Sequence, residues 1–278
     1  MSQNVLMYIF YGFIAGFSEY TPLSASAHQA LFPLLFQFNS NHPLLRFFVH
    51  AGMLGALVYM SWQRISHIYR ELNVVSLSPR LRKRPPDLDA VREARLVFMA
   101  VPAVLVGAVC SWLFMGADVN LFWLGILLAF SAVLIYIPDY IPGGNRKGKT
   151  MQSLDGILLG ICAALSVIPG VSCIGFMLAI GQFRKCDRSY ILDIGLLITG
   201  LLVTVSMVFD LIGTVFSGFA GISLVGIVGC IFATAASFCG GIAAIMMMRF
   251  LTVKSGFSAF AFYGWGLALF IYILYLMI

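Results

Sequence analysis

A cluster of hydroxyl, carboxyl and imidazole groups interrupts the first apolar stretch of the chain. Its members are Ser18, Glu19, Thr21, Pro22, Ser24, Ser26 and His28. Proline ends helices, and a broken helix at membrane depth leaves backbone N–H groups that can bind an anion. A carboxylate and a histidine beside such a break could bind a divalent cation or transfer a proton. Because an unneeded carboxylate in lipid is costly, a functional role for Glu19 is favoured over a local helix cap.

A second break, Pro169-Gly170, interrupts a later apolar stretch and is followed by Ser172. A lone serine in a membrane helix usually bonds to its own backbone, so Ser172 gains meaning only as the counterpart of the first break.

Few other ionisable residues lie in or near the apolar runs, and they are Arg46, His50, Asp193 and Asp210. Arg46 and Asp193 stand close to run ends, where an interfacial position explains them. Asp210 is interpreted as a polar residue satisfied inside the helix bundle.

The elements that position these groups follow from the composition. The chain has 278 residues, of which 61% are hydrophobic and 10% are charged. Soluble proteins carry about a quarter charged residues, and long unbroken apolar runs exclude a β-barrel, disorder and a secreted disulfide scaffold. The fold class predicted is an all-α polytopic membrane protein, built as one integral membrane domain over residues 1–278 and surrounded by membrane lipids.

Basic residues are concentrated between two membrane runs, in a segment predicted as a cytoplasmic loop over residues 64–95. They are Arg64, Arg70, Arg80, Arg82, Lys83, Arg84, Arg92 and Arg95. The positive-inside rule explains this segment, and no nucleic-acid partner is expected. The six cysteines have no Cys-x-x-Cys spacing, so neither zinc nor a disulfide framework is indicated.

Six runs are long enough to cross about 30 Å of hydrocarbon. They lie near residues 44–63, 95–115, 120–138, 189–216, 221–248 and 256–278. Regions 1–38 and 154–183 are each broken by proline and are predicted as re-entrant hairpins of two short helices. The loop charges place the hairpins on opposite sides of the membrane, which indicates an inverted repeat of residues 1–138 and 154–278. A constant shift superimposes Pro22 on Pro169 and Ala25 on Ser172.

Residues 12–28, GFIAGFSEYTPLSASAH, resemble the first signature of the bacterial undecaprenyl-diphosphate phosphatases, the bacitracin-resistance family, which reads G-x-x-E-G-x-T-E-x-x-P-x-S-S-T-G-H. Residues 165–175, LSVIPGVSCIG, resemble its second signature, P-G-x-S-R-S-G. Residues 47–64 and 226–263 are similar to further parts of the family, so the resemblance covers nearly the whole chain. It implies six spanning helices with two inverted re-entrant hairpins.

The resemblance also implies a function. The family hydrolyses undecaprenyl diphosphate to the monophosphate with a divalent metal (Mg²⁺ or Ca²⁺), which recycles the carrier lipid of cell-wall synthesis. It implies the inner membrane of a bacterium and leaves a homodimer open. By this resemblance Glu19 holds the metal or acts as base, and His28 is the acid, base or nucleophile. The phosphate-contacting groups implied are Ser24, Ser26, Gly170 and Ser172.

Several positions depart from the family pattern. The first family glutamate is Ala15 here, the middle hydroxyl is Ala25, the arginine of the second signature is Cys173, and the arginine after the C-terminal tyrosine is Gly264. A single carboxylate replaces a pair one helical turn apart, and cysteine cannot clamp phosphate as arginine does. No intramembrane lysine or arginine in the sequence obviously compensates.

Three hypotheses remain open. The first is a divergent phosphatase, supported by the fold-wide resemblance and by the retained Glu19 and His28. The second is a transporter or flippase that binds a polyprenyl phosphate without cleaving it, with Glu19 as a coupling-ion or proton site. The third, an inert scaffold, explains the replaced residues but not the retained ones. All three share a polyprenyl (di)phosphate as the lipid partner.

Overall fold

The computed structural model describes residues 4–78, 82–113, 119–217, 224–254 and 256–277, and these are almost entirely helical. Short 3-10 turns occur at Ile137–Tyr140 and Gly148–Thr150. The helices are α1 Val5–Glu19, α2 Ala25–Phe36, α3 Pro43–Ser76, α4 Leu88–Leu113, α5 Leu121–Tyr136, α6 Ser153–Leu165, α7 Cys173–Phe183, α8 Arg188–Ser217, α9 Leu224–Lys254 and α10 Ser258–Met277.

Six of these helices, α3, α4, α5, α8, α9 and α10, are long and apolar enough to cross a membrane. They coincide with the six predicted runs, so the prediction of an all-helical, multi-pass membrane protein is confirmed. All six cysteines are free.

The basic segment between α3 and α4 is shorter than the predicted loop over residues 64–95. Helix α3 continues to Ser76 and α4 begins at Leu88. Charged residues form helices readily, and these are also paired, because Arg64 binds Glu93 and Arg84 binds Glu71. The two helices therefore extend well beyond the apolar core that defined the sequence prediction.

Both predicted breaks are present as helix ends. In hairpin 1, α1 ends at Glu19 and α2 begins after the N-cap Ser24, whose hydroxyl accepts from the N–H of Ala27. In hairpin 2, α6 ends at Leu165 and α7 begins after the N-cap Ser172, whose hydroxyl accepts from the N–H of Gly175. We call residues 20–24 the first tip and residues 166–172 the second tip.

The matched caps correct the register of the repeat. The sequence shift paired Ala25 with Ser172, whereas the structure gives Ser24 and Ser172 the same role. Aligning the two prolines places the caps one residue out of register, because Ser24 follows Pro22 by two residues and Ser172 follows Pro169 by three.

Glycine pairs bring each hairpin against a spanning helix of the other half of the chain. In α1, a Cβ on Gly12 or Gly16 would lie within 2.3 or 2.2 Å of a carbonyl oxygen of α9. In α6, a Cβ on Gly156 or Gly160 would lie within 2.5 or 2.6 Å of the α4 backbone. Small residues spaced four apart allow this close backbone approach between membrane helices. Each hairpin is thus held by a helix from the other half of the chain.

The base of hairpin 2 carries a charged clamp. Asp155, in the first turn of α6, is buried and receives Nη2 of Arg146 at 3.0 Å and Nε of Arg184 at 2.7 Å. Arg184 caps α7, so this carboxylate ties both helices of the hairpin to the connecting segment. Burial raises the pKa of the Asp155 carboxyl. The N–H of Gln152 and the two guanidinium groups together lower it by more than burial raises it, so the pKa lies below its usual value.

Candidate functional site

The two tips meet inside the bundle through hydrogen bonds. The N–H of Gly170 donates to Oγ of Ser24 over 3.0 Å, and the hydroxyl of Ser26 donates to the carbonyl of Ser166 over 3.1 Å. The hydroxyl of Ser172 points toward the carbonyl of Thr21 at 3.5 Å. Residues 140 and 146 positions apart are therefore joined at one place.

A small polar cavity, which we call the tip cavity, lies beside this junction and has a volume of about 100 Å³. It is lined by both tips and by the adjoining helices, including Glu19, Ala25, Ser26, His50, Ser166 and Cys173. Glu19 is half-buried there, and the described part of the chain offers its carboxylate no hydrogen bond or ion pair. An available carboxylate in this position can accept a proton or coordinate a cation.

The residues around Glu19 hold it rigidly at the end of α1. Tyr20, the C-cap, is fully buried and donates its hydroxyl to the carbonyl of Met53 in α3 over 2.9 Å. The hydroxyl of Ser18 donates to the carbonyl of Ile14 within α1. The carboxylate therefore projects from an anchored helix end, and its neighbours satisfy their own polar groups.

A larger cavity, which we call the vestibule, adjoins the tip cavity and has a volume of about 630 Å³. Ser26, Gln29, His50 and Ser206 line both, so the two cavities adjoin. The vestibule is also lined by Asn41, Arg46 and Asn120, which stand at or near the first residues of α3 and α5. Cavities of about 300–1,000 Å³ with a few polar groups are the usual size of small-molecule sites.

A buried charge cluster forms one wall of the vestibule. Asp210 of α8 accepts from Nη2 of Arg46 and lies against Nδ1 of His50, with both distances 2.7 Å. Its side chain is 0% exposed, whereas those of Arg46 and His50 are 22% and 16% exposed. The interpretation of Asp210 as a satisfied polar residue in the bundle is confirmed. Arg46, explained from sequence by an interfacial position, has a specific partner.

His28 lies away from the tip cavity. Its Nε2 is 2.7 Å from the hydroxyl of Tyr263 in α10, and its Nδ1 is 2.8 Å from the carbonyl of Ser24. It lines a separate pocket of about 10 Å³ between α2, α5 and α10. The structure therefore does not bring Glu19 and His28 into one cavity, although nine residues separate them in sequence.

The candidate phosphate-contacting residues are divided in the same way. Ser24 and Ser172 are buried helix caps, and the N–H of Gly170 is used by Ser24. Only Ser26 among them lines the tip cavity and the vestibule. The phosphate contacts of this set stay predictions, and Ser26 is the member placed to make one.

The replaced positions occupy distinct surroundings. Ala15 is fully buried in the apolar core, and Ala25 lines the tip cavity. Cys173 lines the same cavity, with Sγ 3.3 Å from the hydroxyl of Thr199. A Cβ on Gly264 would lie 3.0 Å from the Cβ of Ala132. Because glycine has no side chain, α10 packs closely on α5 at this position. The tip cavity therefore has a cysteine and an alanine where the family has an arginine and a hydroxyl.

The donors available to a divalent metal are limited. No group of three or more His, Cys, Asp or Glu side chains with metal-binding geometry occurs among the residues described. Mg²⁺ is commonly held by one or two carboxylates together with substrate phosphates and waters. A lone Glu19 fits that shared mode and does not fit a cage built from protein ligands alone.

Sequence reasoning overlooked the cluster on α3 and α8. Arg46 and His50 are four residues apart and therefore share one face of α3. That spacing of two polar residues inside an apolar run was an available signal. The partner Asp210, 160 residues beyond His50, could not be assigned without the packing of α3 on α8.

The fold and the site together define a polytopic membrane protein whose two broken hairpins enclose a polar cavity around one carboxylate. The chain belongs to the family of the bacitracin resistance protein BacA, whose profile matches residues 8–270. This confirms the resemblance drawn from the two signatures.

Curated relatives are similar over most of their length. An undecaprenyl-diphosphatase of Nocardioides sp. is 28% identical over 253 residues, which are 91% of this chain and 89% of that protein. An undecaprenyl-diphosphatase of Thermodesulfovibrio yellowstonii is 25% identical over 271 residues, 96% of each chain. One of Halothermothrix orenii is 23% identical over 273 residues, 98% of each chain.

Proposed function

We propose that the protein hydrolyses undecaprenyl diphosphate to undecaprenyl monophosphate and orthophosphate. The family match over residues 8–270 and the shared hydrolase name of the relatives support this reaction. The observation that carries the proposal is Glu19, a carboxylate that faces a polar cavity and has no hydrogen-bond or ion-pair partner among the residues the structure describes. Intramembrane carboxylates of this kind mark functional sites.

The reaction would consume one water. The water oxygen bonds to the terminal phosphorus, the bridging P–O bond breaks, and its electrons stay on the lipid monophosphate. In this scheme Glu19 either accepts the proton of the attacking water or holds a divalent metal. A metal, when bound, would offset the negative charge that the diphosphate brings. The role of His28 as acid, base or nucleophile stays a prediction, since His28 opens on a different pocket.

The translocation hypothesis is less favoured. The similar proteins share the name of a hydrolase, and the retained carboxylate of Glu19 faces a polar cavity of about 100 Å³. Hydrolysis of the carrier lipid would place the protein in the inner membrane of a bacterium, where that lipid is recycled for cell-wall synthesis.

The test uses purified protein and a soluble short-chain prenyl diphosphate, with Mg²⁺, with Ca²⁺ and with chelator. The expected result is one orthophosphate for each prenyl monophosphate formed, with faster release when metal is present. A cooperative thermal unfolding transition shows that the protein is folded. If folded protein releases no orthophosphate under any of these conditions, the proposal is contradicted. Transfer of a prenyl phosphate across liposomes by that same inactive protein would establish the translocation hypothesis instead.

A further inference from the structure

The vestibule has a single strong cation on its wall. Arg46 is the only lysine or arginine among the described residues that line the vestibule or the tip cavity. A diphosphate carries several negative charges, and it must lose much of its hydration on entering a site of this kind. A guanidinium at the wall compensates that loss, because it stays charged and presents a planar set of N–H donors.

The geometry directs this cation into the cavity. Asp210 lies behind Arg46 and His50, is 0% exposed, and is not among the vestibule-lining residues. It therefore neutralises the cluster from the protein side while the guanidinium faces the open side. The same carboxylate receives Nδ1 of His50, which turns the other edge of that ring away from Asp210.

A second arginine on the same two helices shows how different this arrangement is. Arg64 of α3 pairs with Asp193 of α8, and its Nε, Nη1 and Nη2 all donate to Asp193 or Glu93. Arg46 gives only Nη2 to Asp210, and its Nε and Nη1 have no partner in the described ranges. Arg64 is fully used by the protein, whereas Arg46 keeps donors that a ligand can take.

We propose that Arg46 binds the diphosphate group of the substrate in the vestibule and that Asp210 positions its guanidinium. This assignment rests on the proposed hydrolase function, and it names the cation that Cys173 does not supply. His50 and Ser26 line both cavities, so a diphosphate on Arg46 would lie beside the cavity that Glu19 lines.

The test compares matched variants of the two arginine–aspartate pairs. Arg46→Lys keeps the charge and removes the planar fork. Arg46→Gln combined with Asp210→Asn removes both charges, so no unpaired carboxylate is left buried to unfold the protein. Arg64→Lys and the combined change of Arg64→Gln, Glu93→Gln and Asp193→Asn are the controls, because Arg64 of the same helix binds both of these acids.

Three quantities are measured for each variant: KM and kcat for a short-chain prenyl diphosphate, the Kd of inorganic pyrophosphate by calorimetry, and the thermal unfolding midpoint. A charge-assisted hydrogen bond is worth about 10- to 100-fold in affinity, so KM and the pyrophosphate Kd should rise by about 10-fold in Arg46→Lys and about 100-fold in the double variant. Both Arg64 controls should keep KM and Kd within about 2-fold of wild type.

The outcomes separate this assignment from the hydrolase function. Unchanged KM and pyrophosphate Kd in a folded Arg46→Gln, Asp210→Asn variant would overturn the role of Arg46 while leaving hydrolysis intact. A wild-type protein that binds pyrophosphate through Arg46 but releases no orthophosphate would support the binding site and contradict the hydrolase. Affinity lost for inorganic pyrophosphate alone, with KM for the prenyl diphosphate unaffected, would overturn the assignment to the substrate.

Discussion

The two hairpins share a backbone plan and divide the work of the site. Each begins its second helix after a serine cap, Ser24 or Ser172, and each packs on a spanning helix through paired glycines. In hairpin 1, the end of α1 places Glu19 at the tip cavity, where no described residue pairs with its carboxylate. The second tip, residues 166–172, contains no ionisable side chain. The two hairpins therefore share their helix ends, whereas only hairpin 1 brings a carboxylate to the tip cavity.

At the bases of the hairpins the charge is distributed the other way, because the buried carboxylate there belongs to hairpin 2. Hairpin 1 begins at Asn4, whose exposed side chain caps α1 through the N–H of Leu6. Hairpin 2 begins at the buried Asp155, which is clamped by Arg146 and Arg184. The comparison indicates that the ion pairs of Asp155 fix the base of hairpin 2, and that the tip of hairpin 1 is hydrogen-bonded to this fixed hairpin.

The largest effect on stability is expected from Asp155→Asn. It leaves two guanidinium groups without their shared carboxylate at the base of hairpin 2. Breaking a buried ion pair costs about 3–5 kcal/mol, and the partial exposure of both arginines reduces this to about 2–3 kcal/mol. The thermal unfolding midpoint in detergent measures it, with Asp89→Asn, an exposed aspartate paired with Arg92, as the control. Equal midpoints for the two variants would show that hairpin 2 is not pinned by this clamp.

The same clamp predicts a dependence on pH. Because the folded-state pKa of Asp155 lies below its usual value, its contribution is complete above the unfolded pKa of about 3.9 and is lost as pH falls through the folded value. The difference in unfolding midpoint between wild type and Asp155→Asn should be constant near neutral pH and shrink below about pH 4. A difference that persists undiminished at low pH would contradict the ionic origin of the clamp.

Gly170→Ala should have the next largest effect. Gly170 has a φ of +104°, and a Cβ there would lie 2.7 Å from the Cβ of Leu127 in α5. Backbone strain of this kind costs about 1–3 kcal/mol and would move the N–H that bonds to Ser24. The control is Gly143→Ala, where a Cβ meets nothing within 4 Å. Comparable unfolding midpoints for the two alanine variants would mean that the second tip does not need its glycine.

The smallest effects are expected at the two caps. Ser172→Ala should destabilise the protein by about 1 kcal/mol, because it removes one N-cap acceptor. Ser24→Ala should cost about 2 kcal/mol, because it removes an N-cap acceptor and also leaves the buried N–H of Gly170 without its acceptor. Losses at both caps would support the structural equivalence of the two tips. A large loss at one cap and none at the other would break it, with the exposed Ser76→Ala as a reference.

Much of the fold could be predicted from the sequence. Apolar runs of spanning length gave the six membrane helices, and Pro22 and Pro169 located both breaks, because proline removes a backbone donor wherever it stands. Glu19 could be singled out as well, because a carboxylate inside an apolar run is costly enough to indicate a function.

The rest depends on packing between distant helices. Arg46 and Asp210 are 164 residues apart, so their pairing and their place at the vestibule follow from the contact of α3 with α8. His28 illustrates the converse, because its closeness to Glu19 in sequence did not predict that α2 turns it toward Tyr263. Ser24 and Ser172 were misaligned because a proline-based shift cannot detect that one tip is longer.

The most direct test measures kcat for a short-chain prenyl diphosphate in Glu19→Gln and in Cys173→Ser. These residues come from the two hairpins and line the same tip cavity. If the chemistry lies in hairpin 1, kcat falls by about 100-fold or more in Glu19→Gln, while Cys173→Ser stays within a few-fold of wild type. Full activity in Glu19→Gln, or an equal loss in both variants, would contradict the division of work between the hairpins.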